Sequence, residues 1–543
     1  MKTTTSMILV CKHIVNLLDY LQSAKDMHQG DGLVMVVEGF HDFKDIPETL
    51  TSFVRNLTRT NAGLFTDCHA TSTVLHVDKK VHPSQRLVLA CTGQPIARDF
   101  DDVRRYREAG ELGMRSALKA GSRSPVVCVP KSSKFELNDL VALTGVLQAV
   151  YVPYSRRGHA FDAKQWNIDK LLVHTPDTKE CERLVRTLRG IELGRIVHRD
   201  TGGSDPELMS PPRVAEYIVD VFKNSASIKV EVVSNQDVIL EQYPLMHAVN
   251  RAANQVEQHK ARLIKLTYEG IAPIEETLML VGKGVTLDTG GADLKVNGVM
   301  HGMSRDKLGA TTVAGFMKTL EILQPKGLKC VATMCMVRNS IGAHSYTTDE
   351  VITARSGKRV RIVNTDAEGR LAMLDALCEM KERGANETNP HVMTVATLTG
   401  HEELTYGCGY SAVMDNGLAM KHRSGEKLLA AGEQIGHFVE ISRLRREDFE
   451  FHSGKTPEED VVQANTLPST RTERGHMGPA AFLLMGSSSD KGDGLGSWEM
   501  ESKSGATLKY SHIDMGGAEG DSLCPPEGRP LMALVNRYIL SNC

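Results

Sequence analysis

The stretch from Leu280 to Asp306, LVGKGVTLDTGGADLKVNGVMHGMSRD, constrains this chain more than any other. It begins in an apolar strand, Thr277–Val281, which Gly282 and Gly284 are expected to break around Lys283. After Asp288 the pair Gly290–Gly291 turns the chain, and Lys295 follows on another short extended piece. Asp306 opens a helix reaching about Leu323, with Leu308, Val313, Phe316 and Leu320 on one face. So much charge in glycine-loosened backbone is an unusual neighbour for apolar strands. A second stretch, Asn364–Leu371 (NTDAEGRL), carries the complementary charges. The two are expected to fold together around a site for two metal ions.

At 543 residues the chain exceeds one ordinary core, so two or three domains are expected. Leu33–Val37, Leu87–Cys91 and Val126–Val129 are short β-branched runs of buried-strand length. Helical patterns over Asp101–Ala120 and Leu137–Val150 lie among them. This predicts an α/β N-terminal domain over residues 1–178, macro-like in layout, with no evident chemistry. His41 and His69 there have no partners at metal-ligand spacing. A charged helical stretch, Glu180–Val197, ends before HRDTGGSDPELMSPP, whose glycines and prolines mark the best boundary in the chain. Residues 179–205 therefore read as a linker and 206–543 as an α/β catalytic domain, a central mixed sheet flanked by helices.

In that domain the pattern predicts helices over Val214–Phe222 and about His247–Gln258, and strands over Ile228–Val233, Arg262–Tyr268, Lys329–Val337 and His391–Leu398. A helix following Asn364 should close on Gly384 as a left-handed cap. Glu447–Glu473 reads as a long polar surface loop, Tyr510–Gly517 as a strand running into a turn. The charged residues fall at strand ends and helix starts, where open α/β sheets place ligand sites.

A formal net charge of -3 leaves no electrostatic footprint for nucleic acid. The clusters Arg104, Arg105, Arg107 and Arg443, Arg445, Arg446 read as solvated faces. Eleven cysteines without a C-x-x-C argue against a disulfide framework or cysteine-rich zinc module and for a reducing compartment. Cys330 and Cys335 read as small core residues. The N-terminus lacks a secretory cleavage pattern, and no run approaches the roughly 18 apolar residues of a membrane helix. A cytoplasmic protein without membrane attachment is expected.

Several chemistries are excluded by spacing. His401–Glu402 is not followed by a second histidine, no G-x-S-x-G occurs, and Gly454–Lys455–Thr456 has Phe449 where a phosphate loop needs its first glycine. What remains is hard oxygen. Asp366, Glu368 and Arg370 are spaced i, i+2, i+4, which extended backbone would put on one face. With Asp288 and Asp306 the carboxylates number four, and converging without cations they would raise one another's pKa. Two divalent ions would neutralise them, leaving Lys295 and Arg370 as a positive surround suited to a transition state gaining negative charge on oxygen.

The segments GKGVTLDTGGADLK, MSRDKLGA, NTDAEGRL, ATLTG and SHIDMGG, in this order, closely resemble the leucyl aminopeptidases, the cytosol aminopeptidase family. The resemblance spans about residue 200 to the end. It implies that Asp288 and Glu368 are shared by both metals, that Lys283 and Asp306 complete the tighter site, and that Asp366 completes the more exchangeable one. It further implies a bridging water or hydroxide as nucleophile, Lys295 polarising the scissile carbonyl, and an Arg370-held bicarbonate shuttling the proton. Met303, Thr397 and Gly516 match the first side-chain pocket, and Leu398 and Gly400 match backbone contacts to substrate.

The ions so implied are Zn²⁺ or Mn²⁺, with Mg²⁺ or Co²⁺ admissible to the same ligands. The substrates implied are peptides with a leucine-like N-terminal residue, the assembly a homohexamer built as a dimer of trimers. Two features depart from the family pattern: His401, Glu402 and Glu403 follow TLTG, and AEGD after SHIDMGG brings Glu519 near the pocket. Both bear on side-chain preference. Rival readings are a Cys-Gly-type dipeptidase and a catalytically idle scaffold or DNA-associated member. The complete ligand set and the low net charge weigh against the second.

Overall fold

A computed structural model describes residues 19–38, 46–60, 63, 67–94, 98–157, 168–488, 507–516 and 524–542. His41 and Glu519 lie outside them. The chain divides into two compact units, Met1–Leu193 with Glu433–Gly436, and Gly194–Gly432 with His437–Cys543.

The first unit is built on a six-stranded sheet of β1 (Leu21–Ser23), β2 (Leu33–Val37), β3 (Thr71–His76), β4 (Arg86–Cys91), β5 (Val126–Cys128) and β6 (Leu171–His174), ordered β1-β6-β5-β2-β4-β3. All neighbours are parallel except β3 with β4. The expected helices form over Arg104–Lys119 and Asn138–Val150. Arg105 is not on a solvated face. It is buried, its Nε 3.0 Å from Asp101 and its guanidinium on Glu38.

The second unit holds an eight-stranded mixed sheet and a three-stranded one. In chain order the strands are β7 (Ile228–Val233), β8 (Arg262–Tyr268), β9 (Ile271–Asp288), β10 (Lys326–Asn339), β11 (Val351–Thr353), β12 (Arg359–Arg361), β13 (Pro390–Ala396), β14 (Ser411–Asp415), β15 (Val439–Ile441), β16 (Val461–Val462) and β17 (Lys509–Asp514). The large sheet is ordered β15-β14-β17-β13-β9-β10-β8-β7, the small one β11-β12-β16. Strands β10, β9, β13 and β17 run parallel at the centre. Their carboxyl ends, Asn339, Asp288, Ala396 and Asp514, therefore open on one edge of the sheet.

Gly282 and Gly284 do not break β9, which runs unbroken for 18 residues. Gly282 instead lets the Leu308–Leu323 helix close in, since a Cβ there would stand 2.5 Å from Ala310 Cα. On the other face Met279, Val281 and Val285 share a core with Leu371, Leu374 and Leu377 of the Glu368–Gly384 helix. Strand alternation puts Lys283 on this second face. The central strand thus carries a helix on each side, and that sandwich fixes the site.

Other expectations are corrected. Of the helix expected near His247–Gln258 only the start forms, as the end of a short helix Pro244–Asn250, with a separate helix Gln236–Gln242 before it and 3₁₀ turns after it. Pro244 has no N–H to continue the first helix and starts the second. Helix continues past Val197 to Gly202. Gly384 is the last helical residue and no left-handed cap follows, Ala385 having φ -57°. Lys295 lies between two turns and in none of the strands, its N–H donating to the Thr289 carbonyl. Glu447–Glu473 is no plain loop: it contains most of the Arg446–His452 helix and all of β16. Cys330 and Cys335 are buried as expected. Among the described residues no helix is long and apolar enough to cross a membrane.

Candidate active site

Each charged side chain of the site is delivered by a different local device. Lys283 projects from mid-β9, nine-tenths or more buried, with Nζ 2.7 Å from Asp306 Oδ1 and 2.9 Å from Glu368 Oε1 and donating to the Thr397 carbonyl at 2.7 Å. Asp288 ends the same strand. Its Oδ1 accepts from Gly290 N–H at 2.9 Å and from Asn339 Nδ2 at 2.8 Å, Asn339 being its register partner on β10. Asp306 follows the 3₁₀ turn Met303–Arg305 and accepts from the Thr397 hydroxyl at 3.0 Å.

Asp366 sits in the turn before the Glu368–Gly384 helix, and Glu368 and Arg370 lie in its first turn, so the i, i+2, i+4 set is not extended. They still converge, because a turn and a helix start bend the chain around one point. Lys295 Nζ reaches across to Asp288 Oδ2 at 3.0 Å and Asp366 Oδ1 at 2.5 Å. Thr365 and Asp293 tie the two motif segments together: Asp293 N–H donates to the Thr365 hydroxyl and Thr365 N–H to Asp293 Oδ2, both at 2.7 Å.

Four carboxylates face two lysines, which leaves the cluster short of positive charge. The consequences follow from Coulomb's law at low dielectric. Burial works against the charge of Lys283, yet Asp306, Glu368 and Asp288 outweigh it and raise its pKa. Lys295 is raised in the same way by Asp288 and Asp366. Burial, with Asp288 and Glu368 nearby, pushes the Asp366 carboxyl up to about 7. Asp306 is pushed well up by burial and by the neighbouring carboxylates, which Lys283 only partly offsets. Asp306 Oδ2 and Glu368 Oε2 are buried without hydrogen-bond partners. One ligand atom from each of Asp288, Asp366 and Glu368 falls within 4.8 Å of the others. Orphaned hard oxygens, surplus negative charge and this spacing fit divalent cations.

Arg370 is buried, donates from Nη1 to the Gln463 carbonyl at 2.9 Å and has a buried Nε without a partner. Burial lowers its pKa to about 10. An orphaned guanidinium N–H at this place fits a small anion.

All twelve residues singled out from the sequence line one cavity of about 710 Å³: Lys283, Asp288, Lys295, Met303, Asp306, Asp366, Glu368, Arg370, Thr397, Leu398, Gly400 and Gly516. Sequence reasoning missed the residues that hold them. Gln463, from the end of β16, donates to the carbonyls of Asn364 and Ala367 and accepts from the N–H groups of Val363 and Asn364. Asp514 accepts from the N–H groups of Leu398, Thr399 and Gly516 and from the Thr399 hydroxyl, fixing the loop after β13. Asn339 had no signal beyond its place at a strand end.

Residues 196–532 match the cytosol aminopeptidase family, catalytic domain. The chain is 48% identical over 487 residues to the Caenorhabditis elegans protein named "Putative aminopeptidase W07G4.4", covering 90% of each. Its fold is similar to that of leucyl aminopeptidase from Trypanosoma brucei in complex with actinonin, at a TM-score of 0.77, 18% identity and 99% coverage of both chains. The bottromycin maturation enzyme BotP in complex with Mn is similar at a TM-score of 0.71 and 18% identity, over 95% of this chain and 100% of that one. Family match and long relative together settle the assignment: the chain belongs to the cytosol aminopeptidase family and is a metal-dependent aminopeptidase, a hydrolase of N-terminal peptide bonds.

Proposed function

We propose that the chain removes the N-terminal residue of peptides at a centre for two divalent ions, with Asp288 and Glu368 shared between them, Lys283 and Asp306 completing one site and Asp366 the other. The observation that carries this reading is the pair of orphaned oxygens, Asp306 Oδ2 and Glu368 Oε2, among the four carboxylates of the site. Zn²⁺ or Mn²⁺, or with the same ligands Mg²⁺ or Co²⁺, would supply Lewis acidity toward the peptide carbonyl and a nucleophilic water at neutral pH.

The remaining work belongs to the protein. Lys295 is, among the described residues, the one ammonium that reaches both Asp288 and Asp366, so it stands where the scissile carbonyl oxygen would gather charge, and it polarises that oxygen. Arg370 holds a bicarbonate as proton carrier, which accounts for the lack of a histidine or glutamate base in the motif. Asp306, with its free oxygen, receives the substrate ammonium and so restricts cleavage to the first residue. Met303, Thr397 and Gly516 line the pocket for a leucine-like aliphatic chain, and the Leu398 and Gly400 backbone aligns the peptide.

Domains 1–178, 179–205 and 206–543, from the glycine- and proline-rich boundary, a cytoplasmic location, from the cysteine usage, and a homohexamer built as a dimer of trimers, from the family resemblance, complete the proposal. Mass determination in solution tests the last. The activity is tested by incubating purified chain and Mn²⁺ or Zn²⁺ with leucyl, methionyl and lysyl amides. Release of the N-terminal residue is expected, with loss of at least about 100-fold in Asp366→Ala or Glu368→Ala. No release from any amide would overturn the peptidase reading, and unchanged turnover in both variants would overturn the ligand assignment.

A further inference from the structure

From Leu398 to Gly400 the loop that leaves β13 has no backbone N–H free for a substrate. The N–H groups of Leu398 and Thr399 go to Asp514 Oδ1, at 3.2 and 3.4 Å, and that of Gly400 goes to the Ser469 hydroxyl at 3.1 Å. The three loop residues and Ser469 all line the cavity. A peptide lying along this loop therefore meets a different donor.

That donor is the hydroxyl of Ser469. Its oxygen accepts from Gly400, and among the described residues the hydroxyl donates to nothing. The side chain is half-buried in the cavity wall. Thr470, beside it, turns its methyl to the loop, since a Cβ on Gly400 would stand 2.8 Å from Thr470 Cγ2. Accepting a bond from Gly400 also polarises the Ser469 O–H and makes it a better donor.

The wall that carries Ser469 is held fast. Ser469 opens the 3₁₀ turn Ser469–Arg471, and its carbonyl accepts from Thr472 N–H at 3.1 Å. Gly475 packs so closely that a Cβ there would stand 2.4 Å from the Ser469 carbonyl oxygen and 3.0 Å from His401 Cβ. His401, on the Gly400–Tyr406 helix, has its Nδ1 2.8 Å from Nδ1 of His476, whose Nε2 lies 2.6 Å from Ser442 Oγ. A donor fixed in this way loses little freedom on meeting an acceptor.

We infer that Ser469 is a substrate-binding residue whose hydroxyl donates to the carbonyl of the second peptide residue, so that Gly400 aligns the peptide through Ser469. The loop gives the direction. Thr397 donates to Asp306, where the substrate ammonium is received, and Gly400 stands three residues farther on. The first carbonyl along the peptide is the scissile one at Lys295, and the next acceptor is that of the second residue. This rests on the peptidase reading and adds a contact to the same site.

The test compares the full chain with Mn²⁺ on leucyl-glycinamide and leucyl-propylamide, of which only the first carries a second carbonyl. In Ser469→Ala the glycinamide-to-propylamide ratio of kcat/KM is expected to fall by about fivefold, as for the loss of one neutral hydrogen bond. The fall should come through KM more than through kcat. Ser469→Thr, which keeps the hydroxyl, should restore most of the ratio. A ratio unchanged in Ser469→Ala overturns the inference, because a merely structural role would weaken both substrates alike. A raised ratio overturns it too, since Gly400 N–H would then meet the peptide directly once uncovered. Both outcomes leave the peptidase reading intact, whereas no cleavage of either amide by the wild type overturns both.

Discussion

Gly369 gives Lys283 its passage: a Cβ on residue 369 would stand 2.5 Å from Lys283 Cε and 2.7 Å from its Nζ. Gly369 lies in the first turn of the Glu368–Gly384 helix, where alanine would ordinarily stabilise by up to about 1 kcal/mol. Here the methyl would drive the lysine away from Asp306 and Glu368. Gly369→Ala is therefore expected to lower kcat/KM by about 100-fold or more, with overpacking costing about 1–3 kcal/mol. Steady-state kinetics and a thermal melt check this. Wild-type activity in the variant would show that Lys283 does not need its observed path.

Divalent ions that bind only the folded chain must stabilise it, by about 2.7 kcal/mol at a concentration 100 times Kd. Adding Mn²⁺ or Zn²⁺ to chelator-treated protein is expected to raise Tm by several degrees, and titration calorimetry to count two ions per chain. The rise should shrink in Asp288→Ala, since Asp288 is assigned to both ions. This readout does not depend on turnover. A Tm indifferent to both metals in the wild type would argue that the carboxylates are held by Lys283 and Lys295 alone.

Much of this site is legible in the sequence because its ligands sit in short local motifs. Asp288, Asp366, Glu368 and Arg370 are each fixed within a few residues of a strand end or helix start, and such ends carry glycine, turn and capping signals. The alternation of strands and helices in both units is legible for the same reason. What sequence does not carry is contact across distance. Gly282 resembles a strand breaker, yet in the fold it is the point where Ala310 approaches β9. Gln463 lies about a hundred residues from the Asn364 turn it clamps, in a polar stretch with no periodicity to mark it.

Gln463 gives a direct test of that long-range clamp. Its side chain makes four bonds to the backbone of residues 363–367, at 3.1, 3.1, 2.6 and 2.8 Å, while its own carbonyl accepts from Arg370. Gln463→Ala leaves these part-buried backbone groups without their partner, at up to about 1 kcal/mol each. The Asp366 turn would loosen, so kcat should fall more than KM rises, by about tenfold overall. Gln463→Glu should not rescue, because a carboxylate cannot donate to the Asn364 and Ala367 carbonyls. Full kcat in Gln463→Ala would show that the turn holds itself.

Glu459 supports the segment leading to β16 and makes it sensitive to acid. Its carboxylate is buried and accepts from the N–H groups of Lys455 and Thr456 at 2.8 and 2.7 Å, from the Thr456 hydroxyl at 2.6 Å and from Arg361 Nε at 2.8 Å. Burial alone would raise its pKa, but the Thr456 hydroxyl, Arg361 and the two amides outweigh it and hold it down at about 2, against an ordinary 4.5. A carboxyl depressed on folding contributes stability that is whole above its unfolded pKa and is lost as pH falls through the folded one. Glu459→Gln should therefore cost about 2 kcal/mol at pH 7, since a side-chain amide would turn N–H toward donors. The gap to wild type should narrow between pH 4.5 and 2, where the unfolded chain takes up the proton that the native carboxylate resists until about pH 2. Urea unfolding at pH 7 and at pH 2.5 measures both values, and an equal gap at the two pH values would show that the charge of Glu459 contributes nothing to holding this segment.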